Sequence, residues 1–347
     1  YSYDSYHYNN KNDDDTDGIF NIAVAGDWGC KDDTNKTVEN IQNKDPELVL
    51  AAGDLSYKGS SQCWFEIIEP IQSKMKIAMG DHEYSDTNGG QYGLINQYLK
   101  PFNLEKTYYS FDKNNVHVTI MDPYIDYKPG SAQYEFIEQD LKNTASNPYI
   151  DWTFVVESIP IYTAPSKHPG DSDIKDIYHP LFDKYGVDLV FSSDNHNYQR
   201  TYPLKYNNNN NGGDDGSQDP IITYVNDNNS YNSDNGGVVY LIIGTGGRSL
   251  YDVKGDAPFL ANSYDKQFGF LNIDVYSSDA LVGTFYANED YSYQDDDNEN
   301  GYYFINTAST AASAAAFATN QSPYDNNIRD QFIISSNTKY QESNSYY

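Results

Sequence analysis

The sequence predicts an α/β fold, and three observations lead to this expectation. Short apolar runs recur along the chain at a length typical of buried strands. Helical patterns separate the first three runs, which gives the order β-α-β-α-β of a sheet with helix crossovers. Each run ends in a polar turn that carries Gly or Asp, and open α/β sheets place their ligands at such strand ends. The five runs are residues 22–25, 47–50, 76–79, 153–156 and 188–191.

The other elements follow from local patterns, in chain order. Asp33 and Thr34 can cap a helix that extends to about residue 42, and an apolar face predicts a second helix at 64–68. Two alternating segments that join at 113–115 predict a pair of strands, in which His117 is a strand residue. Further helices are expected at 133–141 and 174–182, and further strands at 238–243, 268–275, 280–286 and 328–334.

The polar segments define the expected domain organisation. Residues 1–18 form an acidic, Tyr-rich arm, which is either disordered or able to add as a strand to a neighbouring chain. We expect one domain over 19–336 and a polar, Tyr-rich tail over 337–347. Low-complexity loops or insertions interrupt this domain at about 206–219, 226–237 and 289–327.

The charge of the chain restricts its partners. Lys and Arg together number 22 and Asp and Glu 51, so the net charge is −29. Such a field repels nucleic acid and anionic membranes and attracts cations. A phosphate-bearing substrate is repelled as well, unless metal ions reverse the sign locally. No run is long and apolar enough to span a bilayer.

Several features favour a secreted, extracellular or cell-surface protein. The chain does not begin with Met, which we interpret as a cleaved signal peptide. Three glycosylation sequons begin at Asn35, Asn228 and Asn320. Cys30 and Cys63 lie on two loops expected at the same sheet edge, where they are either free thiols or a disulfide; secretion favours the disulfide. A zinc site is disfavoured because no CxxC spacing is present.

Four motifs follow one another along the chain: GDWG at 26–29, GDLSY at 53–57, GDHE at 80–83 and NHNYQRTYP at 195–203. Together they resemble the calcineurin-like metallophosphoesterases, and within them the purple acid phosphatases. The resemblance covers residues 19–336 apart from the insertions, and it implies a four-layer fold of two mixed sheets packed as a sandwich between helices. The Tyr-rich arm is similar to those of secreted archaeal proteins.

The resemblance implies two metal sites, of which the first is complete. Its ligands in this chain are Asp27, Asp54, Tyr57 and His196. A tyrosinate in this position is the charge-transfer ligand of ferric iron in the purple enzymes. The resemblance therefore implies Fe at the first site.

The second site departs from the family pattern at three of four positions. Asp54, which the resemblance implies as the ligand that bridges both metals, is retained, while Asp81, Ser158 and Asp194 replace Asn and two His. Glu157 is an alternative to Ser158, but neighbours on a strand point to opposite faces, and the alignment favours Ser158. Oxygen ligands suit Ca, Mg or Mn, so we expect one of these as the second divalent cation, with Zn as a further candidate.

Two histidines are assigned catalytic roles by the resemblance and by position. His82 corresponds to the residue that contacts the substrate phosphate, and His168 lies where it can reach the leaving group. Arg200 is expected to form a structural ion pair.

Three functions remain open at this point. The first is a metal-binding but catalytically impaired module of a cell surface, filament or surface layer, assembled as a homo-oligomer through its arms. The second is an active phosphate monoester hydrolase with Fe and an oxygen-ligated second metal. The third is a calcium-binding protein, although no EF-hand loop is present.

Overall fold

Two seven-stranded sheets form the centre of the protein in a computed structural model that describes residues 19–85, 94–207, 219–223, 229–277, 279–288 and 327–336. The first sheet has the strand order β11-β16-β15-β14-β1-β2-β3 and contains β1 (Phe20–Ala25), β2 (Leu48–Ala52), β3 (Met75–Ala78), β11 (Ser230–Asn232), β14 (Gly269–Ser277), β15 (Ala280–Ala287) and β16 (Ile328–Ser335).

The second sheet has the order β13-β8-β12-β7-β6-β5-β4. It contains β4 (Tyr109–Lys113), β5 (Val116–Ile120), β6 (Trp152–Val156), β7 (Leu189–Ser192), β8 (Tyr198–Thr201), β12 (Val239–Ile243) and β13 (Leu260–Tyr264). A separate pair is formed by β9 (Leu204–Lys205) and β10 (Ile221–Ile222). The helices are α1 (Asp32–Lys44), α2 (Gln62–Ile68), α3 (Asp81–Ser85), α4 (Ile95–Leu99), α5 (Ala132–Thr144) and α6 (Ser172–Tyr185).

Both sheets are mixed, and the crossover connections explain where they are parallel. β1, β2 and β3 pair in parallel through helical crossovers, while β14 pairs antiparallel with β1. In the second sheet β5, β6, β7 and β12 are parallel, and β4 and β8 are antiparallel to their neighbours. The predicted α/β class with two mixed sheets is confirmed.

Alternation along β6 shows how the layers pack. Phe154 and Val156 lie in the core that also contains first-sheet residues, whereas Val155 between them packs with α5 and α6. Successive side chains on a strand point to opposite faces, so one face of the second sheet meets the first sheet and the other is covered by helices. All five residues of β6 are buried, as is typical of a strand in a sheet that is covered on both faces.

The five predicted strands all form, but they are divided between the two sheets. β1, β2 and β3 belong to the first, and β6 and β7 to the second. The two sheets meet at their carboxyl ends, where the Ser193 hydroxyl donates to the Ala52 carbonyl oxygen at 2.6 Å. Gly53 permits this approach, because it has φ +96° and a Cβ there would lie 2.7 Å from Cβ of Ser158.

One loop prediction is wrong where the structure can be compared with it. Residues 226–237 are predicted as a loop, yet β11 lies within them and pairs in parallel with β16. The buried ring of Tyr231 explains the difference, since a tertiary contact outweighs the polar local sequence. The arm at 1–18, the insertion residues 208–218 and 289–326 and the tail at 337–347 lie outside the described residues.

Two polar strands, β8 and β13, are absent from the sequence-based expectations. Their side chains do not alternate between apolar and polar residues, so periodicity gives no signal. As for membrane spans, none of the helices in the described part of the chain is long and apolar enough to cross a bilayer.

His117 on β5 ties the outer hairpin to α5. Its Nδ1 lies 2.6 Å from Oδ1 of Asp112, and its Nε2 lies 3.0 Å from Oδ2 of Asp140. Burial lowers the pKa of His117, but the hydrogen bonds to Asp140 and Asp112 raise it more, so the net shift is upward. A raised pKa means that the folded state binds the proton more tightly than the unfolded state does.

We therefore expect His117→Gln to destabilise the protein most at low pH. The ionic contribution is fully present below the unfolded pKa and is lost as the pH rises through the folded one. The cost should be about 1.5–3 kcal/mol at pH 5, as for hydrogen bonds to charged groups, and smaller at pH 9. Urea unfolding at both pH values measures it, with the exposed neighbour Lys113→Gln as control. Equal costs at pH 5 and pH 9 would contradict the assignment.

Candidate metal centre

Left-handed backbone conformations concentrate at the ends of three strands. Asp27 after β1, Asp54 and Tyr57 after β2, and Asp194 after β7 have φ values of 54°, 53°, 53° and 66°. This region is costly for a residue with a Cβ, and Asp tolerates it better than most. Strained backbone of this kind is common at functional sites. All four residues belong to the ligand sets expected from the sequence.

Tyr57 Oη is the meeting point of the first predicted ligand set. It lies 2.5 Å from Oδ1 of Asp27, 2.9 Å from Oδ2 of Asp54 and 2.9 Å from Nε2 of His196. Nε2 of His196 is 3.3 Å from Oδ1 of Asp27. The structure thus brings together all four residues, from three separate loops.

This group has the chemistry of a metal site. Oδ2 of Asp27 is buried and has no hydrogen-bond partner among the described residues. Burial, and then the charges of Asp27 and Asp54, raise the pKa of Tyr57. Burial and the charges of Asp27 and Glu83 raise the pKa of Asp54. A cation would relieve both, and carboxylate, phenolate and imidazole together suit iron.

His196 is held with Nε2 towards the other ligands. Its Nδ1 is 2.8 Å from the Ser249 carbonyl oxygen, so Nδ1 carries the hydrogen and Nε2 presents its lone pair. The ring stacks on Tyr251 at 3.9 Å with an angle of 12° between the planes. Ser249 and Tyr251 were not identified from sequence. Their one signal is that they follow the GTGG segment at 244–247, which lies within the region of resemblance.

Glu83 joins the loops that carry the ligands. Its carboxylate accepts hydrogen bonds from the backbone N–H groups of Asp54 (3.0 Å), Leu55 (2.9 Å) and Gly80 (2.9 Å). Burial raises the pKa of Glu83 to about 8, although the three N–H groups act in the opposite direction. This buried residue therefore positions the backbone of Asp54 and of Gly80, the residue just before α3. Glu83 is the last residue of the GDHE motif, and the sequence alone predicts no function for it.

The second predicted site is only partly assembled. Ligand atoms of Asp54, Asp81 and His82 lie within 4.8 Å of one another. The backbone N–H of His82 donates to Oδ1 of Asp54 at 3.2 Å, and the centre of the His82 ring lies 3.9 Å from that of the Tyr57 ring. His82 thus contacts Asp54 through its backbone and Tyr57 through its ring.

Ser158 and Asp194 lie at the same end of the sandwich. Ser158 Oγ donates to Oη of Tyr124 at 3.3 Å. No sequence pattern identifies Tyr124 as part of this site. Burial, followed by the charges of Asp27 and Asp81, raises the pKa of Asp194 to about 7. The charge of Asp194 therefore depends on a nearby cation or on pH.

Glu157 and His168 differ in their relation to the centre. Val156 faces the core between the sheets, so alternation along the strand directs the next side chain, Glu157, to the helix side. Burial and then the charge of Asp171, just before α6, raise the pKa of Glu157. Nδ1 of His168 lies 3.9 Å from Oδ2 of Asp194, at the rim. Asn195 fixes the His168 loop through bonds of 2.9 and 2.8 Å to its backbone N–H and carbonyl.

Of the predicted covalent features, the described residues include both cysteines and the sequon at Asn35. Cys30 and Cys63 form a disulfide, which joins the loop after β1 to the start of α2. Asn35 has an exposed side chain in α1, and its glycosylation stays a prediction. Asn228 and Asn320 lie outside the described residues.

Comparison with known proteins gives consistent matches. Residues 20–198 match the family described as calcineurin-like phosphoesterase. Probable purple acid phosphatase 20 of Arabidopsis thaliana is 28% identical over 52% of this chain and 46% of its own length. Probable inactive purple acid phosphatase 27 of the same plant is 23% identical over 73% of this chain and 43% of its own.

A solved structure agrees with these matches. Purple acid phosphatase PPD1 from yellow lupin (Lupinus luteus) seeds superimposes with a TM-score of 0.66, 20% identity and coverage of 93% of this chain and 55% of that chain. At this identity the match shows the shared fold. The chain spans about half the length of the curated relatives named above.

Proposed function

The chain belongs to the calcineurin-like phosphoesterases, and we propose that it is a metal-binding, purple acid phosphatase-like domain with impaired hydrolysis of phosphate monoesters. The observation that carries the metal-binding part is the convergence of Asp27, Asp54 and His196 on Tyr57 Oη at 2.5–2.9 Å. Fe is the metal that this phenol-containing set supports at the first site.

The second site would hold a harder cation. Asp54 and Asp81 supply carboxylates, and Ser158 and Asp194 add oxygens at the same end of the sandwich. Oxygen donors favour Mg, Mn or Ca, with Zn as a further candidate. When bound, the Fe of the first site and the cation of the second would supply Lewis-acid activation of water and would neutralise phosphate oxygens.

The charge of the site supports the impairment. Four carboxylates, those of Asp27, Asp54, Asp81 and Asp194, gather at one end of the sandwich, and burial and mutual repulsion already raise the pKa of Asp194 to about 7. Two metal ions would balance these charges with little positive charge left for a dianionic phosphate. One of the relatives, probable inactive purple acid phosphatase 27 of Arabidopsis thaliana, carries "inactive" in its name, which agrees with impaired hydrolysis.

An active phosphate monoester hydrolase is the second candidate. It is favoured by His82, whose imidazole lies with Asp54 and Asp81 inside a 4.8 Å group. In this position the His82 imidazole would either bind the second metal in place of the imidazoles missing at positions 158 and 194, or bind the substrate phosphate. His168 at the rim would be placed to protonate the leaving group.

Secretion is part of the proposal, and two observations support it. The disulfide between Cys30 and Cys63 is typical of oxidising compartments. The net charge of −29 suits a protein exposed to salt outside the cell. A role in a surface layer or filament, or as a homo-oligomer, depends on the terminal arms, which lie outside the described residues, and it stays a prediction.

Metal content and aryl phosphate hydrolysis test the proposal together. We expect the purified protein to carry iron and a visible tyrosinate-to-iron band, and to hydrolyse the ester slowly with added Mg, Mn, Ca or Zn. Ser158→His with Asp194→His should raise the turnover by about 10-fold or more, since it restores two imidazoles. The matched control, Ser158→Ala with Asp194→Ala, removes the same oxygens without adding imidazole.

Two results would contradict the proposal. A protein that binds no iron, or whose visible band survives Asp54→Asn, would exclude the first metal site. If the wild type hydrolyses the aryl phosphate at least as fast as the Ser158→His, Asp194→His variant does, its hydrolysis is not impaired, and the active hydrolase is favoured.

A further inference from the structure

Arginine is rare in this chain, which makes the position of each one informative. Three of the 22 basic residues are arginines: Arg200, Arg248 and Arg329. Arg200 forms a buried ion pair with Asp330. Arg329 donates to Tyr264 Oη at 3.0 Å and to Gln267 Oε1 at 2.8 Å. Both therefore hold strands together.

Arg248 lies instead at the metal centre. Its guanidinium carbon is 4.9 Å from the centre of the Tyr57 ring, whose hydroxyl group meets the first ligand set. Its backbone is fixed on both sides, because its N–H donates to the Asp27 carbonyl at 2.9 Å and its carbonyl accepts from Lys31 Nζ at 2.8 Å. The head group thus projects from an anchored backbone to the ring of a predicted ligand.

The contacts of Arg248 leave its hydrogen-bond donors available. Within the described ranges its guanidinium has a ring contact but neither a carboxylate nor a carbonyl partner, and the side chain is half-buried. A guanidinium whose neighbour is an aromatic ring and not an oxygen keeps its N–H groups free for a planar pair of oxygens. A role limited to balancing Asp27 or Asp54 would call for a direct ion pair, which the structure does not show.

We propose that Arg248 binds the phosphoryl oxygens of a phosphate monoester at the metal centre. This inference rests on the proposed function, since the anion must sit between the guanidinium and the metal ligands. The two parallel N–H groups of the fork match two oxygens of a terminal phosphate, as in other Arg–phosphate pairs. The positive charge offsets part of the negative charge that Asp81 and Asp194 bring to the site.

A dianionic monoester is the substrate class that fits. A terminal phosphate offers three unesterified oxygens, so that two can pair with the fork while one faces the metal ligands. A diester has two such oxygens, and pairing both with Arg248 would leave none for the metals. Monoesters and inorganic phosphate should therefore bind more tightly than diesters.

Calorimetric titration of the purified, iron-loaded protein with inorganic phosphate tests the inference without requiring turnover. We expect Arg248→Gln to weaken phosphate binding by about 10- to 100-fold, the range for a lost hydrogen bond to a charged group. Arg248→Lys should be intermediate because it keeps the charge but not the fork. Iron content and the visible band should stay unchanged in both variants.

The control Lys113→Gln removes one positive charge on the β4–β5 hairpin and should leave phosphate affinity unaltered. Equal phosphate affinity in Arg248→Gln and wild type would overturn this inference but not the proposed function. Loss of iron from the variant would do the same, because Arg248 would then support the metal site instead of binding phosphate. Wild-type protein that holds iron but binds no phosphate would overturn it as well. Wild-type protein without iron and without phosphate binding would overturn both this inference and the proposed function.

Discussion

Replacing Asp330 with Ala is expected to lower the free energy of unfolding by about 3–5 kcal/mol, since it leaves a guanidinium buried without its counter-ion. Arg200 on β8 donates from Nε and a terminal nitrogen to the two Asp330 oxygens at 2.6 and 2.9 Å. The two side chains are 0% and 1% exposed. The pair connects the second sheet to β16 of the first, so its loss weakens the contact between sheets.

A wider network makes the pair sensitive to either partner. Tyr198 Oη and Asn262 Nδ2 also donate to Asp330, both at 2.7 Å, and Arg200 donates to Tyr231 Oη. Removing the carboxylate leaves several buried donors unpaired, which explains why the cost exceeds that of an exposed ion pair.

Urea unfolding followed by tryptophan fluorescence measures this cost. The double variant Arg200→Met with Asp330→Leu removes both charges and should regain part of the loss, because apolar replacements avoid an unpaired charge. A single Asp330→Ala variant within about 1 kcal/mol of wild type would show that the pair contributes little.

The second large effect is expected for Glu83→Ala. The change removes one acceptor for three backbone N–H groups and leaves them buried, so we expect a loss of about 3–5 kcal/mol in unfolding free energy. It also releases the backbone of Asp54, a predicted bridging ligand, and of Gly80. Iron affinity should therefore fall together with stability, although Glu83 is not a predicted ligand.

Unfolding in urea and iron titration of the same samples separate the two effects. Glu83→Gln keeps the shape and one strong acceptor, so it should lie between wild type and Glu83→Ala in both measurements. Glu66→Ala, on the exposed side of α2, is the control for loss of a carboxylate. Unchanged iron affinity in Glu83→Ala would show that the loop holds Asp54 without this residue.

The strands could be predicted because their signals are local, and the first ligand set could be predicted because the motifs that carry it resemble those of a known family. Apolar runs of four to five residues followed by Gly-Asp turns identify β1, β2 and β3, and the same turns carry Asp27 and Asp54. His196 was found through a motif of nine residues. Strand β11 and the polar strand β8 were missed, because Tyr231 and Arg200 are buried by partners far away in the chain.

The supporting contacts of the site were beyond local patterns. Ser249 and Tyr251 contact His196 across more than 50 positions of sequence. Arg248 follows β12 of the second sheet and meets the ring of Tyr57, which lies on the loop after β2 of the first sheet. No periodicity or turn signal specifies such pairs, since they depend on how two sheets approach each other.

The amino-acid sequence alone determined the α/β class and the order of the main strands, because strand periodicity and turn chemistry are properties of short segments. The candidate ligands of the first metal followed from the resemblance of its motifs to a known family. Only the tertiary structure decided which strands share a sheet, which nitrogen of His196 faces the other predicted ligands, that Asp330 is the partner of Arg200 and that Glu83 connects the loops of Asp54 and Gly80. The physical reason is that these features arise from contacts between segments tens to hundreds of residues apart, where packing, burial and charge act together.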